Sequence, residues 1–185
     1  TSRWDRLDIL VNNAGMTSVT GGWDVDAHVV DTSLAEWDAA LSRNLSTAFL
    51  MCRAAVPEMR RGGYGRIVTV SSTTGTVNAM PAQATYTASK AALVGLSRAL
   101  ALEVVGDGIT VNVVAPGYVA TGSQLGFEKD AAAAGPAGRS ATPDEVAAPI
   151  LFLAHESASF VTGSVLVVDG GHGLPETWPA PGASS

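Results

Sequence analysis

The stretch RIVTVSS, residues 66–72, combines a β-branched apolar run with two serines at its end. Its apolar residues do not alternate with polar ones, which is typical of a strand in a parallel sheet that is covered on both faces. Similar runs occur at residues 8–11, 109–115 and 164–168. These patterns predict four strands of a buried parallel sheet.

Amphipathic patterns between these runs predict helices. Ser33 and Glu36 form a capping box, the S-x-x-E pattern that begins a helix. We expect this helix to extend over residues 34–61, with an irregularity near Asn44 and a bend at Pro57. The long helix therefore connects the first two strands.

Two more helices are predicted later in the chain. One covers residues 86–105, and the other begins at a capping box over residues 142–145 and ends near Ala154. The order of strands and helices predicts an α/β fold, a Rossmann-like doubly wound parallel sheet. We expect this domain to occupy residues 1–174, followed by a Pro/Gly-rich tail at 175–185.

The segment after the third strand gives no comparable signal. That strand stops at Pro116-Gly117, and the following residues are rich in Ala and Gly, including AAAAGPAG at 131–138. We expect a low-complexity loop here.

Composition and charge exclude several functional classes. The chain of 185 residues has a net charge of −6, and its largest basic cluster is Arg60-Arg61, which argues against a nucleic-acid surface. A single cysteine, Cys52, cannot form an intrachain disulfide. The three histidines lack metal-ligand spacing, so we expect structural or solvent-facing roles for them and no metal site. Without a signal-peptide or membrane-spanning pattern, we expect a cytoplasmic protein and no membrane partner.

Polar or turn-forming residues follow three of the predicted strands. They are Asn12 to Gly15, then Ser71 and Ser72, and then Pro116-Gly117. In a parallel sheet, ligands bind beyond the carboxyl ends of the strands, where these clusters would meet. The sequence therefore predicts a binding site at this edge.

Tyr86 and Lys90 are four residues apart in a predicted helix and should lie on one of its faces. A phenol has a pKa of about 10 in water, and a nearby ammonium favours its deprotonated form. The pair suggests a proton donor with a cation that tunes it. A plain surface pair on an amphipathic helix is the alternative.

Taken in order, these motifs resemble the short-chain dehydrogenase/reductase family, over residues 5–173. The resemblance is greatest to the 3-oxoacyl-carrier-protein reductase and small alcohol dehydrogenase branch. The matching residues are NNAG at 12–15, Asn44 in RNLSTAF, Ser72 in VSSTTG, Tyr86 and Lys90, PGYVAT at 116–121, and FVTGSVLVVDGG at 160–171.

The resemblance implies an oxidoreductase that transfers a hydride between NAD or NADP and a ketone or secondary alcohol, with 3-oxoacyl thioesters as one candidate substrate. It implies that Tyr86 exchanges a proton with the substrate oxygen while Ser72 hydrogen-bonds that oxygen. Lys90 would hold the nicotinamide ribose, and Asn44 would bind a water that links Lys90 to solvent. Lyases of the same fold that open halohydrins usually carry Arg in place of Lys90, which disfavours that class.

The resemblance also implies cofactor contacts and self-association. A homodimer or homotetramer would form through the helices at 34–61 and 86–105. The implied cofactor-binding residues are Asn13, Ala14, Gly15, Tyr86, Lys90, Pro116, Gly117, Val119 and Thr121.

One departure from the family concerns its phosphate-binding turn. Members begin with a strand and a Gly-x-x-x-Gly-x-Gly turn that receives the pyrophosphate at a helix N-terminus, and this sequence contains no such turn. We therefore expect only the C-terminal portion of the fold, with the first three strands absent, and weak or no NAD(P) binding by this chain alone. The alternative function is a truncated, non-catalytic assembly module that cannot bind cofactor.

Overall fold

Four parallel strands form one sheet in this computed structural model, which describes residues 5–15 and 27–174. The sheet order is β1-β2-β3-β4, and each neighbouring pair is parallel. The strands are β1 (Ile9–Asn12), β2 (Gly65–Val70), β3 (Ile109–Pro116) and β4 (Val165–Val168). The predicted α/β fold with a parallel sheet is confirmed. The absence of the family's first three strands stays a prediction, and the tail at 175–185 lies outside the described residues.

Six α-helical segments accompany these strands within the described part of the chain. They are α1 (Leu34–Leu41), α2 (Thr47–Gly62), α3 (Thr73–Thr76), α4 (Ala84–Val104), α5 (Gly126–Ala134) and α6 (Pro143–Ala154). The helix predicted over residues 34–61 is divided into α1 and α2 by a π-helical turn, Ser42–Ser46. This turn is the irregularity expected near Asn44, whereas α2 continues through Pro57 to Gly62.

Both predicted capping boxes are present. The Ser33 hydroxyl accepts a hydrogen bond from the Glu36 backbone N–H, and the Glu36 carboxylate accepts one from the Ser33 N–H. Thr142 and Glu145 make the same reciprocal pair at the start of α6. Each box satisfies two backbone donors that would otherwise lack partners at a helix start.

Helix α5 lies where the sequence predicted a low-complexity loop, so that prediction was wrong for residues 126–134. The Leu125 backbone N–H donates to Glu128 Oε2 at 2.8 Å, which stabilises the first turn. Alanine has the highest intrinsic helix propensity, and four alanines in a row form the end of this helix. The helix has no apolar period that a sequence pattern could reveal, because Ala132 is its one buried residue.

Helices cover both faces of the central strands β2 and β3, as the continuous apolar runs predicted, whereas the edge strands β1 and β4 are partly exposed. On β2, Ile67 packs in a buried cluster with residues of α2 and α4, whereas the next residue, Val68, packs with residues of α6. Neighbouring side chains on a strand point to opposite faces, so one strand contributes to both clusters. Strand β1 is an edge of this sheet and leaves Ile9 and Val11 48% and 41% exposed.

The turn after β2 packs directly against α4 through Gly75. Gly75 has a φ of +99°, and a Cβ built on it would lie 2.5 Å from the carbonyl oxygen of Thr87 and 2.9 Å from the amide nitrogen of Ala91. Only glycine fits this backbone conformation and this approach. The contact fixes the end of β2 relative to α4.

We expect Gly75→Ala to lower the free energy of unfolding by about 2–4 kcal/mol, because the added methyl meets backbone atoms at a positive φ. Urea denaturation monitored by circular dichroism measures this change. Gly95→Ala is the matched control, since Gly95 lies in α4 with open space around it. The control should stabilise the protein by about 0.5–1 kcal/mol. Equal effects of the two substitutions would contradict the packing role of Gly75.

Candidate active site

A cleft of about 640 Å³ lies at the carboxyl edge of the sheet. Gly15 after β1, Ser72 after β2 and Gly117 after β3 all line it. The three clusters that the sequence predicted to meet therefore contribute to one cavity. Tyr86 and Lys90 of α4 line the same cavity.

Lys90 is buried, with 5% of its surface exposed. Its Nζ donates a hydrogen bond to the Val70 carbonyl oxygen at 3.1 Å and lies 5.6 Å from the centroid of the Tyr86 ring. The two side chains thus face the same cavity from one side of α4, which rules out the alternative of a plain surface pair. Burial lowers the pKa of Lys90 to about 8, so the ammonium form still predominates at neutral pH.

The pKa of Tyr86 is raised above its ordinary value, chiefly because the side chain is buried. A side-chain hydrogen bond with Ser72 lowers this pKa, and the negative charge of Glu128 raises it further. The sequence suggested that Lys90 would shift Tyr86 toward phenolate. The loss of hydration dominates instead, so Tyr86 is a neutral phenol at neutral pH.

The two serines after β2 have different surroundings. Ser71 is buried, and its hydroxyl donates to the Lys90 carbonyl oxygen at 2.8 Å. Ser72 lines the cleft, where its hydroxyl also accepts a hydrogen bond from the Thr74 backbone N–H at 3.1 Å. Ser72 is therefore the serine that can reach a bound molecule, and Ser71 connects β2 to α4.

Asn44 is buried in the π-helical turn, beside Lys90 and Gly15. Its Nδ2 donates to the Ala40 carbonyl oxygen at 3.0 Å. A Cβ built on Gly15 would lie 3.0 Å from both Asn44 Oδ1 and Lys90 Nζ. The Gly15 backbone therefore borders the small space where the amide oxygen and the ammonium meet.

The remaining predicted cofactor-binding residues divide into two groups. Gly117, Val119 and Thr121 line the cleft together with Gly15. Asn13 and Ala14 are exposed after β1, and Pro116 is buried at the end of β3, so these three do not line it.

Sequence reasoning gave no site role to three titratable residues that line the cleft, Tyr118, Glu128 and His172. Glu128 was missed because α5 was predicted as a loop. His172 was predicted to be structural or solvent-facing, yet it is half-buried in the cleft wall, with its ring 5.1 Å from that of Tyr118. Asp169 orients this loop, because its two carboxylate oxygens accept the Gly171 and Gly173 N–H groups at 2.8 Å each.

Two kinds of site are not found among the described residues. Residues 5–15 and 27–174 contain no group of three or more His, Cys, Asp or Glu side chains arranged to hold a metal ion. Across these same ranges, no helix combines the length and the apolar character that crossing a bilayer requires.

Comparisons with known proteins point in one direction. A family model described as enoyl-(acyl carrier protein) reductase matches residues 1–173. Nodulation protein G of Azospirillum brasilense is 38% identical over 169 residues, which are 89% of this chain and 65% of that protein. The 3-oxoacyl-[acyl-carrier-protein] reductase of Salmonella typhimurium is 39% identical over 174 residues, 92% of this chain and 68% of that protein. The chain thus spans about two thirds of the length of these relatives.

Solved structures give the same picture. The crystal structure of an acetoin dehydrogenase from Salmonella typhimurium superposes with a TM-score of 0.85 at 32% sequence identity. The match covers 97% of this chain and 70% of that one.

We expect Lys90→Met to raise the free energy of unfolding of the cofactor-free protein by about 1–3 kcal/mol at pH 7, because it removes a buried charge. The folded protein releases the Lys90 proton near pH 8, whereas the unfolded chain keeps it to about 10.5. The free energy of unfolding of the wild-type protein therefore rises over this pH interval. The difference in free energy of unfolding between Lys90→Met and wild type should decrease by about 1–2 kcal/mol between pH 7 and 9.5.

Urea denaturation at the two pH values measures this difference. Lys129→Met, at an exposed position of α5, is the control and should give no such pH-dependent difference. A constant advantage of Lys90→Met at both pH values would contradict a lowered pKa for Lys90.

Proposed function

Because the chain belongs to the short-chain dehydrogenase/reductase family, we propose that the protein is an NAD- or NADP-dependent oxidoreductase of ketones and secondary alcohols. The proposed substrates include 3-oxoacyl thioesters, the class that the name of the Salmonella typhimurium reductase indicates for that relative. The proposed catalytic residues are Asn44, Ser72, Tyr86 and Lys90.

One observation carries this proposal. Tyr86 and Ser72 line the same cleft, where Ser72 lowers the pKa of the buried phenol, and the buried Lys90 ammonium lies 5.6 Å from the centroid of the Tyr86 ring. A neutral phenol can donate its proton to a carbonyl oxygen, and a serine hydroxyl can hydrogen-bond that oxygen at the same time. This combination suits reduction of a ketone, in which the oxygen gains a proton as the carbon gains a hydride.

The residues around Gly15 fit a nicotinamide cofactor. A Cβ at Gly15 would fill the space beside Asn44 Oδ1 and Lys90 Nζ, so glycine leaves room for close approach to the backbone. A bound NAD(P)H supplies the hydride for reduction. The proposed contacts are Lys90 with the ribose hydroxyls, Gly15 along the cofactor, and Val119 and Thr121 with the carboxamide.

Lys90 and Asn44 support a route for the proton that Tyr86 donates. Lys90 Nζ reaches the space beside Gly15, where Asn44 Oδ1 can accept a hydrogen bond from a water molecule. With a pKa of about 8, Lys90 can release and regain a proton near neutral pH more readily than an exposed lysine. We therefore assign a proton relay to this pair, ending at the Tyr86 hydroxyl.

Self-association through α2 and α4 is part of the proposal. The α2 residues Phe49, Leu50 and Met51 are each about half exposed, and Leu102 on α4 is 83% exposed. Apolar surface of this kind favours contact with a second copy of the chain. Sedimentation velocity should accordingly give a mass of at least two chains.

We expect Tyr86→Phe to lower kcat for reduction of butan-2-one or of an acetoacetyl thioester by about 10³-fold or more, because the proton donor is removed. Consumption of NADH or NADPH at 340 nm measures the rate. Tyr64→Phe is the control, since the Tyr64 ring stacks on Arg66 outside the cleft and keeps that contact as phenylalanine. Retained activity of Tyr86→Phe would remove Tyr86 from the mechanism.

Calorimetric titration with NADH and NADPH separates the proposal from the alternative of a non-catalytic assembly module. Saturable binding of either nucleotide favours the oxidoreductase. If neither binds at millimolar concentration while the protein still self-associates, the assembly module is the better description.

A further inference from the structure

We infer that Glu128 determines substrate specificity in this cleft. It selects small ketones that carry a hydroxyl group, together with the corresponding diols, and it disfavours anionic substrates. The inference rests on the proposed function, because it concerns the substrate of the same site. The Glu128 carboxylate has no role in the proposed chemistry.

Glu128 lies in the first turn of α5 and lines the cleft with Tyr86 and Tyr118. Its negative charge acts on both phenols: burial is the main cause of the raised pKa of each, and Glu128 raises each pKa further. The carboxylate and both rings line the same cleft. Glu128 is therefore close to the position where a substrate would meet Tyr86.

One oxygen of this carboxylate is available to a ligand. Oε2 accepts the Leu125 backbone N–H at 2.8 Å, which fixes the side chain over the start of α5. Within residues 5–15 and 27–174, Oε1 has no hydrogen-bond partner. A carboxylate oxygen is an acceptor only, so the matching group on a substrate is a donor such as a hydroxyl.

No cation in the described cleft compensates the charge of Glu128. Lys90 is the one lysine or arginine among the described residues that line the cleft, and its Nζ lies beside Gly15 and Asn44, where the cofactor is proposed to bind, without a salt bridge to Glu128. Lys129 follows Glu128 in the sequence but is exposed outside the cleft, and Arg139 pairs with Glu145 and does not line the cleft either. An anionic substrate would therefore meet repulsion from Glu128 without an opposing salt bridge.

The other lining groups suit a polar substrate. Asn78, Gln83 and His172 bring amide and imidazole groups to the cleft, next to the apolar side chains of Ala79 and Met80. Such groups can each exchange a hydrogen bond with a hydroxyl. A small hydroxyketone would keep its polar atoms paired here, whereas an apolar ketone would leave Glu128 desolvated without a donor.

Three four-carbon ketones test the inference: butan-2-one, 3-hydroxybutan-2-one and 3-oxobutanoate. For the wild-type protein, we expect kcat/KM for the hydroxyketone to exceed that for butan-2-one by about 10-fold, and that for 3-oxobutanoate to be about 10-fold lower than that for butan-2-one. In Glu128→Gln, the ratio of kcat/KM for the hydroxyketone to that for butan-2-one should fall about 5-fold. The kcat/KM for 3-oxobutanoate should rise about 10-fold. The kcat/KM for butan-2-one should rise by about 2- to 3-fold, because a neutral amide costs less to desolvate than a carboxylate.

Asp130→Asn is the matched control, since it removes the same charge from an exposed position of α5 outside the cleft. It should leave all three ratios unchanged. Equal ratios in wild type and Glu128→Gln would overturn the role of Glu128 while leaving the oxidoreductase proposal in place. If the wild-type protein reduces none of the three ketones with NADH or NADPH, the proposed function fails, and the specificity role fails with it.

A second readout needs neither cofactor nor turnover. The pKa of Tyr86, followed by the ¹³C chemical shift of its Cζ during a pH titration, should decrease in Glu128→Gln and not in Asp130→Asn. An unchanged Tyr86 pKa would show that Glu128 is too far from the phenol to contact the same substrate, and would overturn the inference.

Discussion

The site depends on how the carboxyl end of β2 packs against α4. Three contacts join them: Lys90 Nζ donates to the Val70 carbonyl, the Ser71 hydroxyl donates to the Lys90 carbonyl, and Gly75 abuts the Thr87 carbonyl. Together they determine where Ser72 lies relative to Tyr86. Each contact uses a backbone atom, so the geometry depends on the path of the main chain more than on flexible side chains. A strand and a helix distant in sequence are thereby joined into one rigid support.

The electrostatics of the cleft follow from burial. An ammonium and a phenol lie in the same partly dehydrated volume, and dehydration favours the neutral form of both, lowering the pKa of Lys90 and raising that of Tyr86. These shifts make the Lys90 ammonium a clearly stronger acid than the Tyr86 phenol, whereas in water the two have similar pKa values. A Tyr86 phenolate formed by proton donation would therefore be reprotonated readily from Lys90.

Local sequence patterns were sufficient for the sheet, the capped helices and the convergence of Gly15, Ser72 and Gly117, because each leaves a short-range signal such as an apolar run, a capping box or a turn. They were insufficient for α5, whose alanines carry no apolar period, and so Glu128 could not be anticipated. The position of His172 depends on hydrogen bonds of Asp169 and on a contact with Tyr118 from a distant loop. The acidity of Tyr86 was misjudged because dehydration is a property of the folded environment, and no spacing of two residues encodes it.

The π-helical turn at Ser42–Ser46 determines which end of the Asn44 amide lies beside Gly15. In a regular α-helix the Ala40 carbonyl would accept the backbone N–H of residue 44; here the hydrogen bonds are spaced by five residues, as between the Thr47 N–H and the Ser42 carbonyl. The Ala40 carbonyl instead accepts the Asn44 Nδ2 group. This bond fixes the amide rotamer, turning Oδ1 toward Lys90 and keeping the amide's own donor away from it. The hydrogen bond made in this turn thus determines that the oxygen of the Asn44 amide, and not its nitrogen, lies beside Gly15.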